Sequence, residues 1–175
     1  MAGRKILPIG NDDFRKLREN DAYYVDKTRM IKDFIDTEYA EQINSRPVIY
    51  FTFKDCKGAT VDELLYLVKR NLYQEYLKYE KILRNKLDKD CFETRDFYEM
   101  IDVLRDPQAN HGQYSFSIQM LTQFVKDSYG ISPILLIDEY DQPIMSSHEY
   151  GYHDQLGQFF SNLYGSAMKG NPALG

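Results

Sequence analysis

Residues Pro133 to Ile137 read PILLI, an unbroken apolar run that stops abruptly at Asp138-Glu139-Tyr140-Asp141, with Pro143 closing the turn. The run is too short for an ordinary helix, and its lack of alternation suits a strand buried on both faces. A second run, Pro47 to Phe53 (PVIYFTF), is β-branched and aromatic, starts at a proline and ends at the polar KDCKG, which also describes a buried strand. Parallel strands need crossover connections, so two such runs separated by helical sequence imply a parallel sheet with helices on its faces.

The helical segments are marked by apolar spacing and caps. Thr60 and Glu63 form a capping box ahead of Val61, Leu64, Leu65, Val68, Leu72 and Tyr76, which share one helical face. Beyond a charged stretch at 84 to 96, Phe97, Met100, Ile101 and Leu104 predict a helix that stops before Pro107, and the loop DPQANHGQ follows. Ser115 is the expected cap of a helix built on Ile118, Leu121 and Val125 that ends at Gly130. The last helix carries Leu156, Phe159, Phe160, Leu163, Tyr164 and Ala167 on one side and loosens at Lys169-Gly170-Asn171-Pro172. Nearer the amino terminus, Asn11 to Leu17 suggests a short helix and Tyr23-Tyr24-Val25 an extended piece, and Asp26 can cap a helix using Met30, Ile31, Phe34 and Ile35. Two clear strands fall short of the about five or six in a typical sheet. Either weaker strands lie in Tyr23 to Val25 and near the termini, or the sheet is incomplete.

A length of 175 residues, 43% hydrophobic and 28% charged, is enough for one domain with a real core. A net charge of -5 argues against a surface that neutralises many nucleic-acid phosphates. No apolar run approaches the roughly 20 residues of a membrane span, and MAGRKILPIG lacks a secretory apolar stretch, so the expected location is the cytoplasm. In that compartment Cys56 and Cys91 are expected as free thiols. The 15 Tyr and 10 Phe, without any Trp, suit core and rim packing.

Two carboxylates at the carboxyl end of a parallel strand stand where open α/β sheets bind ligands. In nucleotide hydrolases the first such acid, here Asp138, is associated with Mg²⁺ and the second, Glu139, polarises the attacking water. The bland alternative is a solvated turn, since any strand leaving a core must meet polar residues. A haloacid-type phosphatase would need Asp-x-Asp, whereas the spacing is Asp138-x-x-Asp141. The phosphate-binding pattern Gly-x-x-x-x-Gly-Lys-Ser/Thr is absent, and no Gly-Lys dipeptide occurs. Lys57-Gly58-Ala59-Thr60 has the wrong order for it and reads as a strand-to-helix turn. His111, His148 and His153 are expected in loops or at a helix start, exposed and without zinc-site spacing. No nucleophile elbow is present.

Several blocks together resemble the AAA-ATPase-like proteins of bacteria, which often carry a PD-(D/E)xK nuclease-like domain at the carboxyl end. They are Leu7 to Phe14 with Leu17-Arg18-Glu19, Tyr23 to Thr28, Pro47 to Tyr50 with Phe53-Lys54-Asp55, Leu135 to Ile144, and Phe159-Phe160 through Gly165 to Pro172. The resemblance implies a P-loop-NTPase-like three-layer α/β/α fold with a mainly parallel sheet, here incomplete. It implies ATP and Mg²⁺ as cofactors, Asp138 as the Mg²⁺-associated acid, Glu139 as the water-orienting acid, and Tyr24, Val25 and Asp26 near the nucleotide base. Family members carry a strand and phosphate loop of the type Arg-Pro-Arg-Arg-Phe-Gly-Lys-Thr after the Tyr-Val-Asp-Lys-Thr helix. Here the chain passes from Phe34-Ile35-Asp36-Thr37 almost directly to Glu38-Tyr39-Ala40-Glu41, as if that loop and its neighbours were deleted. Family members also continue past the Asn-Pro segment, so a single truncated domain over 1-175 is expected, one that does not hydrolyse ATP alone. The alternative is a non-catalytic interaction module. Loss of the neighbouring strands would leave PILLI at a sheet edge, open to self-association or a partner protein.

Overall fold

A computed structural model describes residues 44–83 and 92–174. The described residues belong to one compact unit, Asn44–Gly175. Its elements run β1 (Val48–Thr52), α1 (Val61–Leu83), α2 (Phe92–Arg105), a 3₁₀ turn (His111–Tyr114), α3 (Ser117–Tyr129), β2 (Ile134–Asp138), α4 (Gln142–Glu149) and α5 (His153–Met168). This is a mixed α/β fold with an incomplete parallel sheet. The elements expected at Asn11 to Leu17, Tyr23 to Val25 and from Asp26, and Cys91 as well, lie outside the described residues.

β1 and β2 pair in parallel, with Val48 opposite Ile134, Tyr50 opposite Leu136 and Thr52 opposite Asp138. Paired residues share a face, because side chains alternate along each strand. Ile49, Phe51 and Phe53 are fully buried on the inner face, where Leu135 and Ile137 pack beside them. The outer face differs from the expectation of burial on both sides. Val48 is 42% exposed, Tyr50 45%, Ile134 44% and Leu136 48%. The reason is that the core helices among the described residues pack against the inner face alone.

That core is helical and aromatic. Leu64, Val68, Leu72 and Tyr76 of α1 meet Ile118, Leu121 and Val125 of α3 and Leu156, Phe160 and Leu163 of α5 in one cluster. Phe97 of α2 stacks on Phe124 at 3.9 Å between centroids and on Tyr76 at 5.2 Å. Burying a side chain of this size contributes about 1.5–3 kcal/mol, so these positions dominate the stability of the unit.

α1 begins as expected. Thr60 Oγ1 accepts from Glu63 N–H at 3.3 Å, and the Glu63 carboxylate accepts from Ala59 N–H at 3.0 Å, one residue earlier than in a standard capping box. α2 stops at Arg105, before Pro107, and Gly130 closes α3 with φ 70°. Two expectations fail locally. Ser115 does not cap α3: the DPQANHGQ loop contains a 3₁₀ turn with its own capping box from Asn110 and Gln113, and the Ser115 hydroxyl donates back to Gly112 O at 3.0 Å. Pro143 does not close a turn; it sits in the first turn of α4, where its missing N–H is not needed.

Candidate functional site

The carboxyl end of the sheet carries the acidic residues. Asp138 is the last residue of β2, and its carbonyl accepts from Phe53 N–H at 3.0 Å. Its Oδ2 accepts from two hydroxyls of β1: Thr52 Oγ1, its register partner, at 3.2 Å, and Tyr50 OH at 3.3 Å. Both donors share the outer face with Asp138, so parallel register alone brings them together. The other carboxylate oxygen accepts no hydrogen bond from the described residues. The sequence reading overlooked Tyr50 and Thr52; a polar residue at the end of each apolar strand was the available signal.

Glu139 departs from strand geometry with φ 53°, in the left-handed region. A residue with a Cβ pays of order 1 kcal/mol there, and glutamate lacks the local bonding that lets Asn or Asp tolerate it. Its carbonyl accepts from Gln142 N–H at 3.1 Å, and its Oε2 from Gln142 Nε2 at 3.4 Å. The turn therefore leads straight into α4 while Glu139 itself remains exposed.

The segment after β1 is closed upon itself. Cys56 N–H donates to Phe53 O at 2.9 Å and Lys57 N–H to Asp55 O at 3.0 Å. Gly58 N–H donates to Ser146 Oγ at 3.1 Å, and Ala59 N–H goes to the Glu63 carboxylate. Four consecutive amides are thus engaged internally. The Gly58 carbonyl in turn accepts from the hydroxyls of Ser146 and Tyr152, pinning this turn to α4 and the start of α5. Gly58 has no room for a side chain: a Cβ would lie 2.5 Å from the backbone nitrogen of Leu64. The segment Lys57 to Thr60 is the strand-to-helix turn its sequence suggested.

Beneath the acidic turn, Tyr164 is 5% exposed and its hydroxyl has no hydrogen-bond partner, an omission that costs about 1–3 kcal/mol. Burial first, then the proximity of Cys56 and Asp141, push its pKa far above the ordinary tyrosine value. Cys56 is buried and free.

The histidines take structural positions. His148, at the end of α4, stacks on His153 at 3.7 Å, His153 Nδ1 lies 3.0 Å from Ser147 Oγ, and His111 meets the edge of Phe159. His148 is exposed as expected, whereas His111 and His153 are half-buried by these contacts. Tyr24, Val25 and Asp26 lie outside the described residues.

Among the described residues no three His, Cys, Asp or Glu side chains converge to hold a metal. Asp138 does fit Mg²⁺ in a narrower sense. That ion takes hard oxygen ligands, commonly one or two carboxylates with water and phosphate oxygens, and Asp138 offers one unengaged oxygen beside two hydroxyls. No helix among the described residues is long and apolar enough to cross a membrane.

No curated protein and no solved structure matches the chain significantly. A family model does, over residues 35–175, which include both strands, the acidic turn and the Asn171-Pro172 segment and leave out the blocks before residue 35. With that match over most of its length, the chain belongs to the predicted AAA-ATPase family, the AAA-ATPase-like proteins.

Proposed function

We propose that this chain is an ATPase-like domain that keeps an acid pair of the Walker B type, Asp138 toward Mg²⁺ and Glu139 toward water, but does not hydrolyse ATP by itself. The observation that carries the reading is the turn after β1. Triphosphates are held by converging free backbone amides and a lysine. In the Cys56 to Ala59 turn each amide is already engaged within the protein. No Gly-Lys pair occurs anywhere in the sequence. The acids alone bring negative charge, which repels a nucleotide unless a cation mediates. The left-handed Glu139 favours a retained site over an idle turn, since such strain gathers where function demands it.

Bound Mg²⁺ would supply charge neutralisation. Tyr50 and Thr52 would hold the Asp138 carboxylate in place through Oδ2, leaving its other oxygen to face the ion. Calorimetry with Mg-ATP tests this: weak binding that Asp138→Ala reduces about tenfold or more is expected, with no turnover above background. A magnesium-dependent ATPase rate abolished by Glu139→Gln would overturn the claim of no hydrolysis.

A second reading, an interaction module, is favoured by the exposed apolar outer face of Val48, Tyr50, Ile134 and Leu136. Absence of binding heat from Mg-ATP, in a folded protein, would select it.

A further inference from the structure

Helix α1 presents three adjacent sectors at 100° per residue. Leu64, Val68, Leu72 and Tyr76 fill the core, while Asn71, Glu75 and Tyr79 meet the backbone of β1. A third sector, Tyr66, Arg70, Tyr73 and Leu77, is spaced i, i+4, i+7, i+11; Tyr73 packs in part against the core, and the other three are exposed. It forms one wall of a groove of about 870 Å³ whose other wall is the end of α2, with Arg105, and the loop that follows.

The chemistry of this groove departs from that of the whole chain. The protein carries net charge -5, yet among the described residues three cations, Lys69, Arg70 and Arg105, line the groove against a single carboxylate, Asp62. Lys69 is fixed in place, donating to Asp106 O at 2.6 Å and lying 5.8 Å from the Tyr114 ring centroid. Among the described residues neither Arg70 nor Arg105 has an acidic partner, and both are exposed. Between the cations lie apolar surfaces that a soluble surface gains nothing by showing: Tyr66 is 61% exposed and Leu77 37%.

We propose that this groove docks an acidic segment of a partner protein that also carries apolar anchors. Charge complementarity selects the sign of the ligand: an anionic segment is drawn to the groove and repelled by the rest of the surface. The stretch from Tyr66 to Leu77 covers about 16 Å of helix at 1.5 Å per residue, enough for about three turns of a docked amphipathic helix with anchors at i, i+3, i+4 and i+7. Among the described residues the groove's walls are helix and loop, with no strand edge for an extended peptide to pair with. Single-stranded nucleic acid shares the attraction to cations and tyrosine rings. It fits less well, because a phosphate chain extending beyond three cations would run onto acidic protein.

The test uses the full chain and a fluorescein-labelled helical peptide of about 14 residues, with Leu and Phe at the anchor spacing and Glu between them. Its sister peptide has Lys in place of every Glu, and labelled oligothymidine is the third probe. Saturable anisotropy is expected with the acidic peptide at low salt. Binding should weaken about tenfold or more with the lysine peptide, and equally in the double variant Arg70→Glu/Arg105→Glu. The milder Arg70→Gln/Arg105→Gln pair serves if the reversal disturbs the circular dichroism spectrum. The proposal is overturned by absence of saturable binding, by equal affinity for the two peptides, by indifference to both double variants, or by tighter binding of oligothymidine at the same groove.

Discussion

Glu139 is the residue where conformation and chemistry conflict most visibly. Its φ of 53° costs of order 1 kcal/mol for a side chain with a Cβ. Glycine removes that cost but gains entropy in the unfolded chain, so Glu139→Gly is expected to stabilise the fold by about 0.5 kcal/mol, read from the urea midpoint. A clear loss of stability would mean that the Gln142 contact outweighs the strain. Cys56 makes the second residue-scale case. Burial, with the neighbouring Asp55 carboxylate adding to it, pushes the thiol up to about 11 from an ordinary 9.0. The folded protein then holds this proton more tightly than the unfolded chain does. Its contribution is fully present below pH 9.0 and is lost as pH rises toward about 11. Stability should therefore decline across that window, and a Cys56→Ala variant should decline less steeply. Alkylation of Cys56 by iodoacetamide at pH 8 should be slow until the protein unfolds.

At the scale of elements, α1 closes one edge of the sheet. Parallel pairing turns alternate backbone groups of β1 outward, away from β2. Three of those groups, Val48 O, Tyr50 N and Thr52 O, meet side chains of α1: the Tyr79 hydroxyl at 2.8 Å, the Glu75 carboxylate at 3.5 Å and the Asn71 amide, respectively. The three residues stand at i, i+4 and i+8, one row along the helix. This row takes the place of a neighbouring strand. Asn71→Ala should leave the Thr52 carbonyl unpaired and cost about 1–3 kcal/mol in chemical denaturation. Gln74→Ala, on the exposed side of the same helix, should stay within about 0.5 kcal/mol. Equal effects would show that the row seals nothing. Apolar spacing in the sequence, helped at α1 by its cap, was enough to place α1, α2, α3 and α5, because those signals act within one or two turns. The 3₁₀ turn and α4 escaped because proline and short polar runs serve turns and helix starts alike.

For the molecule as a whole, closure of the β1 edge leaves β2 as the side on which the sheet can grow, since among the described residues it pairs only with β1. An edge strand beside an apolar outer face favours pairing with another chain. Light scattering should give a mass above 20.6 kDa that rises with concentration, and Leu136→Lys on the exposed face should return it to the monomer. A monomer at every concentration would refute this. Sequence by itself determined the α/β class, the core stripes and the acids at the end of β2, because periodicity, caps and strand punctuation are local. Tertiary structure alone decided that Tyr50 and Thr52 grip Asp138, that Tyr152 reaches Gly58 across 94 positions, and that the core helices among the described residues leave the outer sheet face half-exposed. Those facts depend on register and on which elements pack together, and bonds between residues that far apart leave no spacing for a periodic pattern to reveal.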